Sequence, residues 1–124
     1  MCLANLYLCI NTKISVDYIV EQGVSGIWIY RKWASGIAEC WTDGVKKATG
    51  STPTAIMGGY YSYATIDLPF TFSSFSSISG NGQLSTGLGF FCGTFSSTST
   101  INVFILGNAN SNDIGYSAHV KGWW

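Results

Sequence analysis

Residues 26–44 read GIWIYRKWASGIAECWTDG. Two runs rich in aromatic and β-branched residues, 27–33 and 37–42, flank the tripeptide Ala34-Ser35-Gly36. Runs of this kind joined by a short glycine-containing connection read as a β-hairpin, because glycine supplies the positive φ that a tight reversal needs. Two registers are open. A two-residue Ser35-Gly36 turn sets Lys32 against Glu39 and Tyr30 against Trp41. A three-residue loop with a bulge at Gly36 sets Arg31 against Glu39 and Ile29 against Trp41. A slip of one residue exchanges the two faces. In either register Glu39 meets a cation and Trp41 a large neighbour, and each such pair contributes roughly 0.2–1 kcal/mol. Trp28, Tyr30, Arg31, Lys32, Glu39 and Trp41 are therefore expected to be the framework of the hairpin and not a ligand site.

Outward from the hairpin the same texture continues. Strands are expected at 16–22, 60–68, 74–79, 88–95, 100–106 and 114–123, each a short apolar or aromatic run bounded by Gly, Ser, Asn or Pro. No long stretch carries apolar residues at helical spacing. Many short strands with regular turn signals predict an all-β fold, an antiparallel β-sandwich or barrel. Residues 45–59, with a proline and three glycines, read as a long loop, and 78–87 and 107–115 as polar turn regions. Nothing divides the chain, so 16–124 is expected to be one domain. Residues 1–15 read as a lead-in strand or linker, since they lack the basic start and small-residue cleavage site of a leader peptide.

Composition narrows the function. A chain of 124 residues is long enough to bury a core without staples, and with 47% hydrophobic against 10% charged residues it is not of the disordered class. Six basic and six acidic residues cancel. Nucleic acid is thus not an expected partner, because phosphate binding needs a surplus of cations on one face. No apolar run is long enough to span a bilayer as a helix, and no membrane insertion is expected. Cys2, Cys9, Cys40 and Cys92 form no metal-ligand spacing with the single His119, so no metal site and no cofactor are expected. The thiols read as free and mostly buried, as in a reducing compartment, with a Cys2–Cys9 pair left open.

Candidate ligand contacts fall in two places. Tyr61 and Tyr63 share one face of their strand by the period-2 rule and can stack on a sugar ring or pack against a neighbouring subunit. The segment 107–113 is the most polar in the chain; Asn108, Asn110, Asn112 and Asp113 offer donors and acceptors suited to sugar hydroxyls, with Tyr116 as a rim aromatic beside them. The same residues also favour turns for purely local reasons. GNGQLSTGLG at 80–89 lacks the lysine and following helix of a phosphate-binding loop. Catalytic residues are not expected: there is no G-x-S-x-G elbow, and Asp17, Glu21, Glu39, Asp43, Asp67 and Asp113 are scattered over different strands and turns, whereas glycoside hydrolysis wants two carboxylates together. His119, between Ala118 and Val120, reads as a packed or hydrogen-bonded side chain.

The pattern W-x-Y-R-K-W-x-S-G-x-x-E-C-W from Trp28 to Trp41, preceded by Asp17–Gly23 and followed by Leu68-Pro69-Phe70 and the closing run His119–Trp123, resembles the C-terminal domain of phage and prophage tail-fibre or minor structural proteins. The resemblance covers roughly 17–124. It implies an antiparallel sandwich similar to H-type lectins that assembles as a homotrimeric knob at a fibre tip, contacts host-surface glycans, and is folded in the bacterial cytoplasm before joining a virion. Residues 1–15 supply no long stalk, so a free-standing bacterial lectin and a purely structural trimerising knob stand beside the receptor-binding tip as expectations.

Overall fold

The computed structural model describes residues 16–85 and 87–124. Its ten described strands are β1 (Ile19–Ser25), β2 (Trp28–Trp33), β3 (Ile37–Thr42), β4 (Lys46–Thr49), β5 (Thr54–Ile56), β6 (Gly59–Asp67), β7 (Ser74–Leu84), β8 (Gly89–Ser97), β9 (Thr100–Gly107) and β10 (Asp113–Trp123). All pairings are antiparallel, and two sheets form: a four-stranded one in the order β5-β6-β9-β8, and a six-stranded one built around β10. One edge of β10 is taken by β7 over nearly its whole length. The other edge is shared: β4 pairs with residues 113–116 and β3 with residues 119–123, and β2 and β1 continue outward from β3. The expected sandwich is present. The lead-in assigned to 1–15 and the Cys2–Cys9 pair lie outside the described residues.

Strict alternation places the core between the sheets. Ile101, Val103 and Ile105 of β9 and Ile114, Tyr116, Ala118 and Val120 of β10 point inward, joined by Ala38 and Cys40 of β3, Leu84 of β7, Leu68 and Phe72. A period-2 pattern with one buried face fixes the register, because any slip would carry this apolar set into water. Cys40 is fully buried and its thiol is pushed up to about 12 by burial. Cys92, by contrast, is exposed on the outer side of the four-stranded sheet, against the expectation of a buried thiol, because it alternates with the inward-facing Phe91 and Gly93.

The hairpin takes the three-residue loop. Arg31 stands opposite Glu39 and Ile29 opposite Trp41, with Gly36 at φ +97°. Its inward face is tied to the Leu68-Pro69-Phe70 segment. The Trp28 indole N–H donates to the carbonyl of Asp67 at 2.7 Å, Tyr30 meets the Phe70 ring edge-on, and the Lys32 ammonium lies 4.7 Å from the centre of that ring. Lys32 and the Tyr30 hydroxyl both reach Glu21 of β1, at 3.3 and 2.9 Å. The inward-facing Trp28, Tyr30 and Lys32 thus make contacts within the chain, to Asp67, Phe70 and Glu21.

Two segments differ from the sequence reading. Within 45–59, read as loop, β4 and β5 form because β10 and β6 each present an unpaired edge; backbone pairing, not apolar content, makes these short strands. The glycine-rich stretch after Ser79 continues β7 as far as Leu84. Gly80 and Gly82 are there because a methyl group at either position would collide with the Ser117 carbonyl or the Ile105 side chain.

At one end, Asp17 fastens the start of the described chain to the hairpin loop. It accepts hydrogen bonds from the Ser35 hydroxyl at 2.6 Å and the Ser35 N–H at 2.9 Å, and these hold its carboxyl below the usual range. Glu21 is lowered likewise, first by the Tyr30 hydroxyl and then by Lys32. A depressed carboxylate pKa contributes stability above the unfolded value that is lost as the pH falls through the folded value. The melting temperature is therefore expected to hold above about pH 5 and to fall below about pH 4. An Asp17→Asn/Glu21→Gln variant should start lower at neutral pH and show a shallower acid decline. A parallel decline in the two proteins would assign the acid sensitivity elsewhere.

Candidate functional site

The outer face of the six-stranded sheet brings together residues that are far apart in sequence. Successive outward positions of β10 are Gly115, Ser117, His119 and Lys121, flanked by Gln83, Asn81, Ser79 and Ser77 of β7 and by Trp41 and Glu39 of β3. The His119 Nε2 and Glu39 Oε1 are 2.7 Å apart. The Trp41 and His119 rings are tilted at 39° with centres 6.2 Å apart, and the Arg31 guanidinium lies 5.1 Å from the centre of the Trp41 ring. Glu39 therefore faces Arg31 across the hairpin but hydrogen-bonds to His119; the expected ion pair with a hairpin cation is replaced by a contact spanning 80 residues. Hairpin geometry alone groups Arg31, Glu39 and Trp41 and leaves His119 out. Their odd-numbered spacing against the buried Cys40 and Val120 was the available signal that they share a face.

Between the β3 and β4 pairings, β10 has a gap in its ladder. There the Ala118 N–H donates to the Thr42 hydroxyl at 3.1 Å, which accounts for a buried threonine at the end of β3. A shallow depression of about 410 Å³ opens over this gap, lined by Thr42, Ser79, Gly80, Asn81, Ser117, Ala118 and His119. A smaller one of about 100 Å³, lined by residues including Gln83 and Gly115, adjoins it and shares Asn81 and Ser117.

The predicted loop contacts lie at the end of the sandwich away from Asp17. Asn108, Asn110, Asn112 and Asp113 are exposed. Hydrogen bonds brace the segment: the Gly50 N–H donates to the Asn112 carbonyl at 2.7 Å, the Ser85 N–H to the Asp113 carbonyl at 2.7 Å, and the Asp113 N–H to the Ser111 side-chain hydroxyl at 3.1 Å. The loop is thus a braced platform with exposed side chains. Tyr116 is not part of it. Only 3% exposed, it points into the core with Ile114 and Ala118, and burial raises its phenol pKa. A surface ligand does not reach it; the even-numbered inward phase of β10 excludes it.

Tyr61 and Tyr63 lie on the outer face of the four-stranded sheet, both against Phe104, with ring centres 5.9 and 5.0 Å away. The surface around them is apolar, not saccharide-like: Ile56, Cys92, Thr94, Phe104 and Leu106 line a shallow basin of about 360 Å³ with Tyr61. Met57 is 98% exposed, Leu88 78% and Phe90 73%. Met57 also sits at φ +46°, in a two-residue turn with Gly58 where a glycine or asparagine is the usual choice.

No family model matches the chain, and no curated protein matches it. Among solved structures it is similar to a C-terminal fragment of the P. aeruginosa R1 pyocin fibre, with a TM-score of 0.59 and 10% sequence identity. The match covers 99% of this chain and 32% of that one, so the chain spans about a third of the fibre fragment it resembles. At this identity the likeness is one of fold: the two-sheet sandwich is an architecture also used in a phage-tail-like fibre.

Proposed function

We propose that the chain is a receptor-binding tip domain of a phage tail fibre or related tail-like particle, that it assembles as a homotrimer, and that it binds host-surface carbohydrate without performing chemistry. The observation that carries this reading is the polarity of the sandwich from end to end. The start of the described chain is fastened at the Ser35 end, while the rigidly braced, side-chain-rich loop 108–113 stands at the other. This layout leaves the 108–113 end to recognise a surface. The fold shared with a pyocin fibre supports it, and the charge-poor apolar face around Phe90 supports assembly with further copies. Single sugar sites are weak, so three per knob would supply avidity.

The test is binding of the purified protein, with its mass in solution measured, to an array of bacterial surface glycans. Selective signals are expected, with an Asn110→Ala/Asn112→Ala variant weakened about tenfold, the size of one or two hydrogen bonds. Silence from an intact trimer would replace this reading with that of a structural knob; silence from a well-folded monomer that recovers binding when multimerised on a surface would retain the lectin and remove the fibre tip.

A further inference from the structure

The trough along β10 lies outside the loop 108–113 and is of different character. From Gly115 to Lys121 the strand runs about 20 Å at the usual rise per residue, longer than one sugar ring. Its floor is made of small or polar groups, Gly115, Ser117, Ser79 and Asn81, and ends against His119 and Trp41. Gly115 is the one outward position of β10 without a side chain, and the Lys47 ammonium lies 3.4 Å from where its Cβ would stand. Lys121 lies beyond His119 on the same face, across from Glu39, and Arg31 covers the far side of Trp41. Lys47, Lys121 and Arg31 are all exposed. Among the described residues the ion pairs are Lys32–Glu21 and His119–Glu39, so none of these three cations has a carboxylate partner. Glu39 is engaged by His119, and Asp43 sits in the turn at the margin.

In a chain of zero net charge, a polar groove whose face carries three cations, none in an ion pair, against the one carboxylate of Glu39 marks the chemistry of its ligand. We infer that this trough is a subsite for an oligosaccharide carrying acidic groups, uronate, sialate or phosphate. Lys47 and Lys121 pair with the acidic substituents at the two ends, Ser79, Asn81 and Ser117 serve the ring hydroxyls, and the His119–Glu39 pair holds Trp41 as the apolar wall. The inference rests on the carbohydrate-binding reading above and gives it a ligand class and a second location.

The experiment compares uronate-, sialate- and phosphate-bearing oligosaccharides with neutral ones of matched length, for the parent chain, a Lys47→Glu/Lys121→Glu variant and a Lys47→Arg/Lys121→Arg variant. Both lysines are exposed, and because Lys121→Glu stands across from Glu39, circular dichroism and melting are measured alongside to establish that each variant folds. The parent is expected to prefer acidic members at least tenfold, with the preference shrinking in high salt; the glutamate variant loses it and the arginine variant keeps it. Equal binding of neutral and acidic members, or no effect of the glutamate exchange, overturns the trough. If binding then depends on Asn110 and Asn112 alone, the carbohydrate reading survives without this subsite. Silence across every member overturns both.

Discussion

Replacing Phe72 by alanine is expected to cost about 3–5 kcal/mol of stability, the range for deleting a buried aromatic ring that its surroundings cannot collapse to fill. Phe72 is 1% exposed and lies between the rings of Phe70 and Phe75, at 4.6 and 5.0 Å between centres. The series runs on in both directions, from Phe70 to Tyr30 of the hairpin and from Phe75 to Phe95 of β8, so one ring joins the two sheets at this end. Nor is the backbone free to close the gap. The Phe72 N–H is held by the Thr98 carbonyl at 2.8 Å, and the neighbouring Ser73 N–H by the Trp123 carbonyl at 2.7 Å. Denaturant unfolding gives the measurement, with Met57→Ala as a control expected to stay within about 0.5 kcal/mol in the monomer. A loss below 1 kcal/mol for Phe72→Ala would mean that the ring is not the joint between the sheets.

The strands that build this core were legible because they obey a local rule. TINVFIL at 100–106 and the closing strand alternate cleanly, and alternation against a buried face leaves one arrangement. The hairpin was legible as a hairpin, and its two registers were narrowed to one only by the strand pairing itself, Arg31 against Glu39 and Ile29 against Trp41. What escaped depends on partners distant in the chain. Residues 46–49 and 54–56 carry no strand pattern of their own and became strands on edges offered by β10 and β6. Gly80 and Gly82 look like turn residues, yet they mark a crossing where Phe91 and Ile105 press against β7. The candidate site shows the same division. The polar loop was visible in composition, whereas the meeting of Glu39 with His119 requires knowing that β10 lies beside β3. Tyr116 was misplaced for a simpler reason: counting by twos from Val120 puts it inside.

If the proposed homotrimer forms through the four-stranded sheet, introducing a charge at Phe90 is expected to dissociate it while leaving the protomer folded. Phe90 is 73% exposed in the isolated chain, so Phe90→Asp removes little from the protomer's own core. With Met57, Leu88, Ile56 and Tyr63 it makes a continuous apolar outer surface on the four-stranded sheet. Their exposed fractions correspond to roughly 600 Å² per subunit, at the top of the ~300–600 Å² that the largest patch of a monomer ordinarily covers and approaching the ~800 Å² that each partner contributes to a standard interface. Met57 strengthens the argument. A nearly fully exposed methionine in a left-handed turn position gains nothing within its own chain, but at an interface it becomes an adaptable apolar anchor. Burying an aspartate without a partner there costs several kcal/mol, of which about 3 kcal/mol already weakens association more than a hundredfold. Light scattering at micromolar concentration should therefore find three protomers for the parent and one for the variant, with secondary structure unchanged. Cys92, on the same face, should be shielded from alkylation in the parent and open in the variant. A parent that is monomeric throughout, with melting lowered by the aspartate, would place the cover of this face within the chain itself and remove the trimer. An unchanged trimer would move its interface to the six-stranded sheet, where it would compete with the trough along β10.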